Sequence, residues 1–191
     1  MQKIISLFQR NYFGILDKDH RLVRDELVPG AEWVQAGEGV ATRKYDGTCC
    51  MILKGVLYKR HDVKKGRVVP EGFIPAQDPD PQTGHWPGWL IVGQGPEDRY
   101  HIEAMANATE RLPDGTYELV GPKIQFNPEG YGEHLLVSHE QAEVLGDCPR
   151  DFAGLKDYLE TRGIEGVVWH HPDGRMVKIK AKDFGWRRDD D

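Results

Sequence analysis

Residues 164–180 read Ile164-Glu165-Gly166-Val167-Val168-Trp169-His170-His171-Pro172-Asp173-Gly174-Arg175-Met176-Val177-Lys178-Ile179-Lys180. Gly166 to His170 and Arg175 to Lys180 flank Pro172-Asp173-Gly174, a turn signal, and so predict a β-hairpin. Alternate residues of a strand share a face, which puts Lys178 and Lys180 side by side. Upstream, Cys148 to Arg162 predicts a helix: Asp147 can cap it, Pro149 sits in its first turn, Phe152, Leu155 and Leu159 form one face, and Gly163 ends it. Thr116 to Val120 and His134 to Val137 are short strand candidates, and His101 to Arg111 carries Ile102, Met105 and Ala106 at helical spacing. Thr48 to Leu53 and Val56 to His61 predict a second hairpin around Gly55. Residues 66–97 are rich in Pro and Gly and read as a long surface loop, with Trp86-Pro87-Gly88-Trp89 partly packed. Strands with interspersed helices predict the α+β class with antiparallel sheets.

The 191 residues suit one medium domain that can bury a core without covalent staples. We expect a single domain over residues 1–191, with residues 1–41 as a lead-in of unassigned role. No apolar run can span a bilayer, and Met1 to Arg10 has no signal-peptide core, so no membrane partner is expected. Only three cysteines are present, two of them adjacent (Cys49, Cys50), which excludes a disulfide framework and favours a reducing cytoplasm. A net charge of −6 argues at first against nucleic acid. The charge is segregated, however. Arg43 to Arg67 holds eight basic residues against Asp46 and Asp62, and Arg175 to Arg188 holds six against Asp183. A fold that brings the two windows together would build a cationic site inside an acidic protein.

The sharpest chemical feature is Lys44-Tyr45-Asp46-Gly47. A lysine amine becomes a nucleophile when burial or neighbouring cations favour its neutral form. Asp46 shares the face of Lys44 in an extended segment, and Gly47 lets a phosphate or sugar approach the backbone. Further along come Tyr117-Glu118-Leu119-Val120-Gly121-Pro122, then Ile164-Glu165-Gly166-Val167-Val168-Trp169, then Val177-Lys178-Ile179-Lys180. The eight histidines show no pair at the helical spacing of a zinc site.

Lysine motif, Glu strand, Glu-Gly strand and Lys-x-Lys strand, in that order, resemble the covalent nucleotidyltransferase superfamily of polynucleotide ligases and mRNA capping enzymes. Within it the chain resembles the human-type ATP-dependent 5′–3′ RNA ligase family. The likeness includes Asp46-Gly47-Thr48-Cys49-Cys50, Pro87-Gly88-Trp89, Asn127-Pro128-Glu129-Gly130-Tyr131-Gly132 and His134-Leu135-Leu136, and runs from about Thr42 to Trp186. The resemblance implies one ATP-grasp-like adenylyltransferase domain with two antiparallel β-sheets flanking an ATP cleft. It implies Lys44 as the nucleophile that becomes lysyl-AMP, and Lys178 and Lys180 as α-phosphate ligands. It implies Glu165, with Asp46, as ligands of a catalytic Mg²⁺ or Mn²⁺. Glu118 would accept from ribose hydroxyls, Arg60 would contact ribose or phosphate, and Val167 would lie under the adenine. The strand Leu135 to His139 leaves the adenine-stacking partner open among aliphatic side chains, His134 and His139. The implied substrate is RNA with 5′-phosphate and 3′-hydroxyl ends.

Other readings stay in play. A GTP-using capping-type guanylyltransferase or a DNA ligase normally carries an oligonucleotide-binding barrel after the Lys-x-Lys motif, and none is expected in the eleven residues after Lys180. A non-catalytic module that binds nucleotides or RNA ends would not need Lys44, Glu118, Glu165, Lys178 and Lys180 together.

Overall fold

The computed structural model describes residues 2–11 and 22–186. They form two units: a central unit of residues 2–3 and 46–141, and a terminal unit of residues 4–11, 22–45 and 142–186. The chain opens in the terminal unit with strands β1 (Ile5–Ser6), β2 (Phe8–Arg10) and β3 (Val23–Leu27), helix α1 (Glu32–Gln35) and strand β4 (Val40–Lys44). The central unit contributes β5 (Thr48–Leu53), β6 (Val56–Val63), β7 (Ile74–Pro75), β8 (Trp86–Ile91), α2 (Arg99–Ala106), β9 (Gly115–Val120) and β10 (Leu135–Ser138). The terminal unit is completed by α3 (Phe152–Arg162), β11 (Gly166–His170), β12 (Met176–Lys180) and a 3₁₀ turn over Ala181–Phe184. The class is α+β, as the pattern of elements predicts. No helix among the described residues is long and apolar enough to cross a membrane.

In the central unit six strands pair antiparallel throughout, in the order β10-β9-β5-β6-β8-β7. The predicted hairpin is its centre. Lys54 and Gly55 both take positive φ, which a tight two-residue turn demands, and Asp114 accepts both of their amides (2.7 and 3.2 Å). One face of the sheet buries Cys50, Ile52, Tyr117 and Leu119 with Ala104 of α2.

The terminal unit holds a four-stranded sheet, β1-β12-β11-β4, and a two-stranded ribbon of β2 and β3. The predicted hairpin forms as β11 and β12, and β4 pairs antiparallel on the other side of β11. Here the all-antiparallel expectation fails: β1 runs parallel to β12, with Ile5 opposite Val177. A tight turn forces antiparallel pairing, but no such turn links strands that lie at opposite ends of the sequence. The opening residues are also more than a lead-in to the core. Leu7, Phe8, Trp33 and Val34 are buried with Leu155, Val167, Trp169, Val177 and Ile179. Phe8 meets the ring of Phe152 edge-on at 5.0 Å.

Three further expectations are corrected. Helix α3 starts at Phe152, not Cys148, because the residue before Pro149 is pushed out of helical backbone. Asp151, four residues after the predicted cap, accepts the amide of Gly154 at 2.8 Å, while Asp147 instead accepts the Tyr158 hydroxyl at 3.0 Å. The supposed long loop contains β8, paired with β6 over six residues. Gly88 permits this, since a Cβ there would lie 2.3 Å from the Phe73 ring and 2.5 Å from the Ile74 carbonyl oxygen. Helix α2 turns His101 and Ala104 inward and exposes Ile102 and Ala106. Buried Asp98, just before its first residue, accepts the Gly93 amide at 2.7 Å and the Lys59 ammonium at 2.5 Å.

Candidate functional site

The pairing register of the terminal sheet assembles the lysines. Lys44 on β4 and Lys180 on β12 both lie opposite Gly166 on β11, and Thr42 and Lys178 both lie opposite Val168. Directly opposed residues share a face, so Lys44, Lys178 and Lys180 stand on one face of three adjacent strands. The other face carries Ala41, Val167, Trp169, Val177 and Ile179 into the core. One lysine of the first basic window thus joins two of the second. Arg187 and Arg188 lie outside the described residues.

Glu165 sits just before β11 and is 8% exposed. Its Oε2 accepts from the Lys44 Nζ, and its Oε1 accepts from the Lys180 Nζ at 2.5 Å. Lys44 also donates to the Tyr45 carbonyl at 3.3 Å. The Glu165 carbonyl accepts the Ala181 amide at 2.9 Å, which ties the carboxylate to the end of β12. Gly166 is required there, because a Cβ would lie 2.1 Å from the Ile179 carbonyl oxygen. Burial works against the charged form of Glu165, but Lys44 and Lys180 outweigh it and hold the carboxyl below its ordinary value. For Lys178, burial first and the charges of Lys180 and Lys44 next lower the amine to about 8, with Glu165 and Asp183 opposing weakly. Three lysines against Glu165, with Asp183 already paired to Arg10, leave surplus positive charge, a setting suited to an anionic ligand such as a phosphate chain.

Two nearby features escaped the sequence reading. Buried Asp183 accepts the Lys180 amide at 3.0 Å and pairs with Arg10 at 2.6 Å, holding the end of β12. Its place three residues after Lys180 is the spacing at which a carboxylate caps a helical turn, a signal available in the sequence. Val167 does not share the lysine face. It is fully buried in the core, and Val168 occupies the lysine face in its place. Two-residue alternation from the Lys44 and Lys180 partners decides this, and the register was not readable from sequence.

The central unit carries the other predicted residues. A Cβ on Gly47 would lie 2.2 Å from the Leu119 carbonyl oxygen, so this glycine serves close packing of β5 on β9. The Asp46 amide donates to Glu129 Oε1 at 3.0 Å. Glu118, nearly buried on β9, contacts His139 Nε2 at 3.0 Å, and His139 Nδ1 contacts Thr116 Oγ1 at the same distance. The Arg60 guanidinium lies over the Trp89 ring, 5.0 Å from its centroid, with Asp62 at 3.6 Å. Glu118 and Arg60 both project from the face of the sheet opposite its apolar core. His134 is buried and stacks on Tyr100 at 4.5 Å, which assigns it to packing.

No group of three or more His, Cys, Asp or Glu side chains suited to a metal gathers among the described residues. The donor chemistry is that of one buried carboxylate, Glu165, beside a cationic cluster. That fits a hard divalent ion which keeps its own waters and takes its remaining ligands from phosphate, and does not fit an all-protein cage.

Fold and site together define a strand-dominated α+β protein with a lysine-rich anion site centred on one carboxylate. A family model described as RNA ligase 1 matches residues 58–191, a span that includes Arg60, Glu118, Glu165, Lys178 and Lys180. RNA ligase 1 of Mus musculus is 26% identical, over 76% of this chain and 67% of that protein. The proteins of the same name from Pongo abelii and Danio rerio are each 25% identical over the same shares. The chain belongs to the RNA ligase 1 family.

Proposed function

We propose that the chain is an ATP-dependent RNA ligase that joins 5′-phosphate and 3′-hydroxyl RNA ends through a lysyl-AMP on Lys44. The observation that carries this reading is the sharing of Glu165 between Lys44 and Lys180, with the lowered amine of Lys178 on the same sheet face. Family membership supports RNA as the substrate.

In the first step the Lys44 ammonium gives up one proton to solvent. Its neutral nitrogen forms a bond to the α-phosphorus of ATP as the bond from that phosphorus to the departing pyrophosphate breaks, and a second proton passes from the nitrogen to solvent. Glu165 holds Lys44 in the resting chain, and arriving phosphates compete for the same ammonium groups, freeing the nucleophile. Lys178 and Lys180 supply positive charge where negative charge builds at phosphorus, which is worth more in a half-buried site than in water. Next, a 5′-phosphate oxygen of RNA bonds to the lysyl-AMP phosphorus, the phosphorus–nitrogen bond breaks, and Lys44 takes up a proton from solvent and leaves as the amine. Finally the RNA 3′-hydroxyl attacks the 5′-phosphorus, its proton is lost, and AMP departs. Positioning and charge do most of the work in such transfers. Glu118 serves the ribose hydroxyls, Arg60 the ribose or phosphate, and Val168, in place of Val167, the adenine. Mg²⁺ or Mn²⁺, with Glu165 as its protein carboxylate and Asp46 as a second candidate ligand, would neutralise phosphate charge when bound.

Intact mass spectrometry after incubation with ATP and Mg²⁺ or Mn²⁺ tests the reading. One AMP adduct is expected, absent in Lys44→Ala. No adduct with either metal across a range of pH would sink it, and an adduct from GTP alone would favour a capping-type guanylyltransferase. Sealing is then compared on nicked duplex, stem-loop and single-stranded RNA, where joining of DNA nicks alone would overturn the RNA assignment.

A further inference from the structure

The segment Asn127-Pro128-Glu129-Gly130-Tyr131-Gly132 has no role in the chemistry above, and the loop that contains it is unusual. Gln125, Phe126 and Asn127 take φ of 48°, 62° and 59°, three consecutive left-handed residues without a glycine. Such backbone costs an L-residue about 1–2 kcal/mol, and a bulky side chain there is rare. Strain of this kind persists only where surroundings impose it, and it concentrates at functional sites.

The surroundings do impose it. At one end of the loop, a Cβ on Gly121 would lie 2.7 Å from the His134 Cα, so the two ends meet. The Lys123 amide donates to His134 Nε2 at 3.3 Å, and the His134 carbonyl accepts from Asn107 at 3.1 Å. Ile124 is buried in the central core. The Asn127 amide donates to the Ile124 carbonyl at 2.7 Å, and the Asn127 side chain bonds both the carbonyl (3.0 Å) and the amide (3.1 Å) of Tyr131. Glu129 then accepts the amide of Asp46, two residues after the proposed nucleophile.

At the apex of this pinned turn stands Phe126, 89% exposed. Among the described residues it is the one exposed Phe, Tyr or Trp side chain. It is a single exposed ring between Gln125 and Asn127, and Lys123, three residues earlier, is also exposed. One rigidly held, solvent-facing ring suits stacking by one nucleobase. We propose that Phe126 is a stacking platform for a nucleobase of the RNA strand whose ends are joined. The identity of that strand rests on the ligase reading.

The test measures binding of a fluorescein-labelled single-stranded oligoribonucleotide by anisotropy, without ATP. Phe126→Ala and Phe126→Leu are expected to weaken binding by roughly 5- to 100-fold, while Phe126→Trp and Phe126→Tyr stay near the wild-type value. Thermal melting of each variant checks that the fold is kept. Binding by Phe126→Ala equal to wild type, equal losses in the Trp and Tyr variants with the fold intact, or no RNA binding by the wild-type chain would each overturn the proposal. If the wild-type chain binds RNA through Phe126 yet never forms lysyl-AMP, the ligase reading falls and the stacking platform stands.

Discussion

Lys178 gives the most informative single substitution. An ordinary lysine amine titrates near 10.5, and burial beside Lys180 and Lys44 lowers this one to about 8. That gap corresponds to about 3 kcal/mol of cost for holding the charged form in the folded chain. Below about 8 both folded and unfolded chains hold the proton, and the full cost falls on the folded state. Between about 8 and 10.5 the unfolded chain keeps a proton that the folded chain has released, so raising the pH stabilises the fold. Above 10.5 neither state holds it, and the cost is gone. Lys178→Met keeps a long flexible apolar stem and removes the charge. The variant is therefore expected to be more stable than wild type by up to about 3 kcal/mol near neutral pH, with the advantage fading across that window. It should also form lysyl-AMP far more slowly. Urea denaturation of both proteins at neutral and alkaline pH measures the first effect, and intact mass the second. A neutral-pH stability at or below wild type, or a gain that persists above the ordinary lysine range, would refute the reasoning.

Three other substitutions probe separate features. Glu165→Gln leaves two ammonium groups without their shared carboxylate and should cost about 3–5 kcal/mol near neutral pH. Because the Glu165 carboxyl lies below its ordinary value of 4.5, that stabilisation is complete above it and is lost as the pH falls through the folded value, so denaturation curves of variant and wild type should converge in acid. Gly166→Ala drives a methyl against the Ile179 carbonyl oxygen and should cost about 1–3 kcal/mol in thermal melts, with loss of lysyl-AMP as Glu165 is displaced. Phe126→Asn places a residue that tolerates left-handed backbone at the strained apex and should raise stability by about 1 kcal/mol while weakening RNA binding.

Local signals in the sequence carried well. Pro172-Asp173-Gly174 and Lys54-Gly55 mark both hairpins because turn chemistry acts over a few residues. Gly163 ends α3 as predicted, and it does so in left-handed backbone. Lys178 and Lys180 share a face because strand alternation is local. What was hidden depends on pairing at a distance. The partner strands of β8 and β1 are set by tertiary packing, so a Pro-Gly stretch concealed one and a parallel pairing the other. Val167 and Val168 differ by a single register position, which only the partners Gly166–Lys44 and Gly166–Lys180 decide. The contact between Glu118 and His139 joins residues whose types gave no warning.

The order in which the chain leaves the ribosome adds a constraint. Residues 46–141 emerge as one continuous stretch and can close their six-stranded sheet with the chain still growing. The lysine cluster cannot form so early, because Lys44 waits for Glu165 and Lys180, and β1 waits for β12. Pairings of such long sequence separation form slowly. A nascent or truncated chain that lacks residues 164–180 therefore carries Lys44, the proposed nucleophile, without its partners Glu165 and Lys180. On the proposed reading, Lys44 would gain its partners only with β12, the last strand to emerge among the described residues, and a half-made chain would not react with ATP.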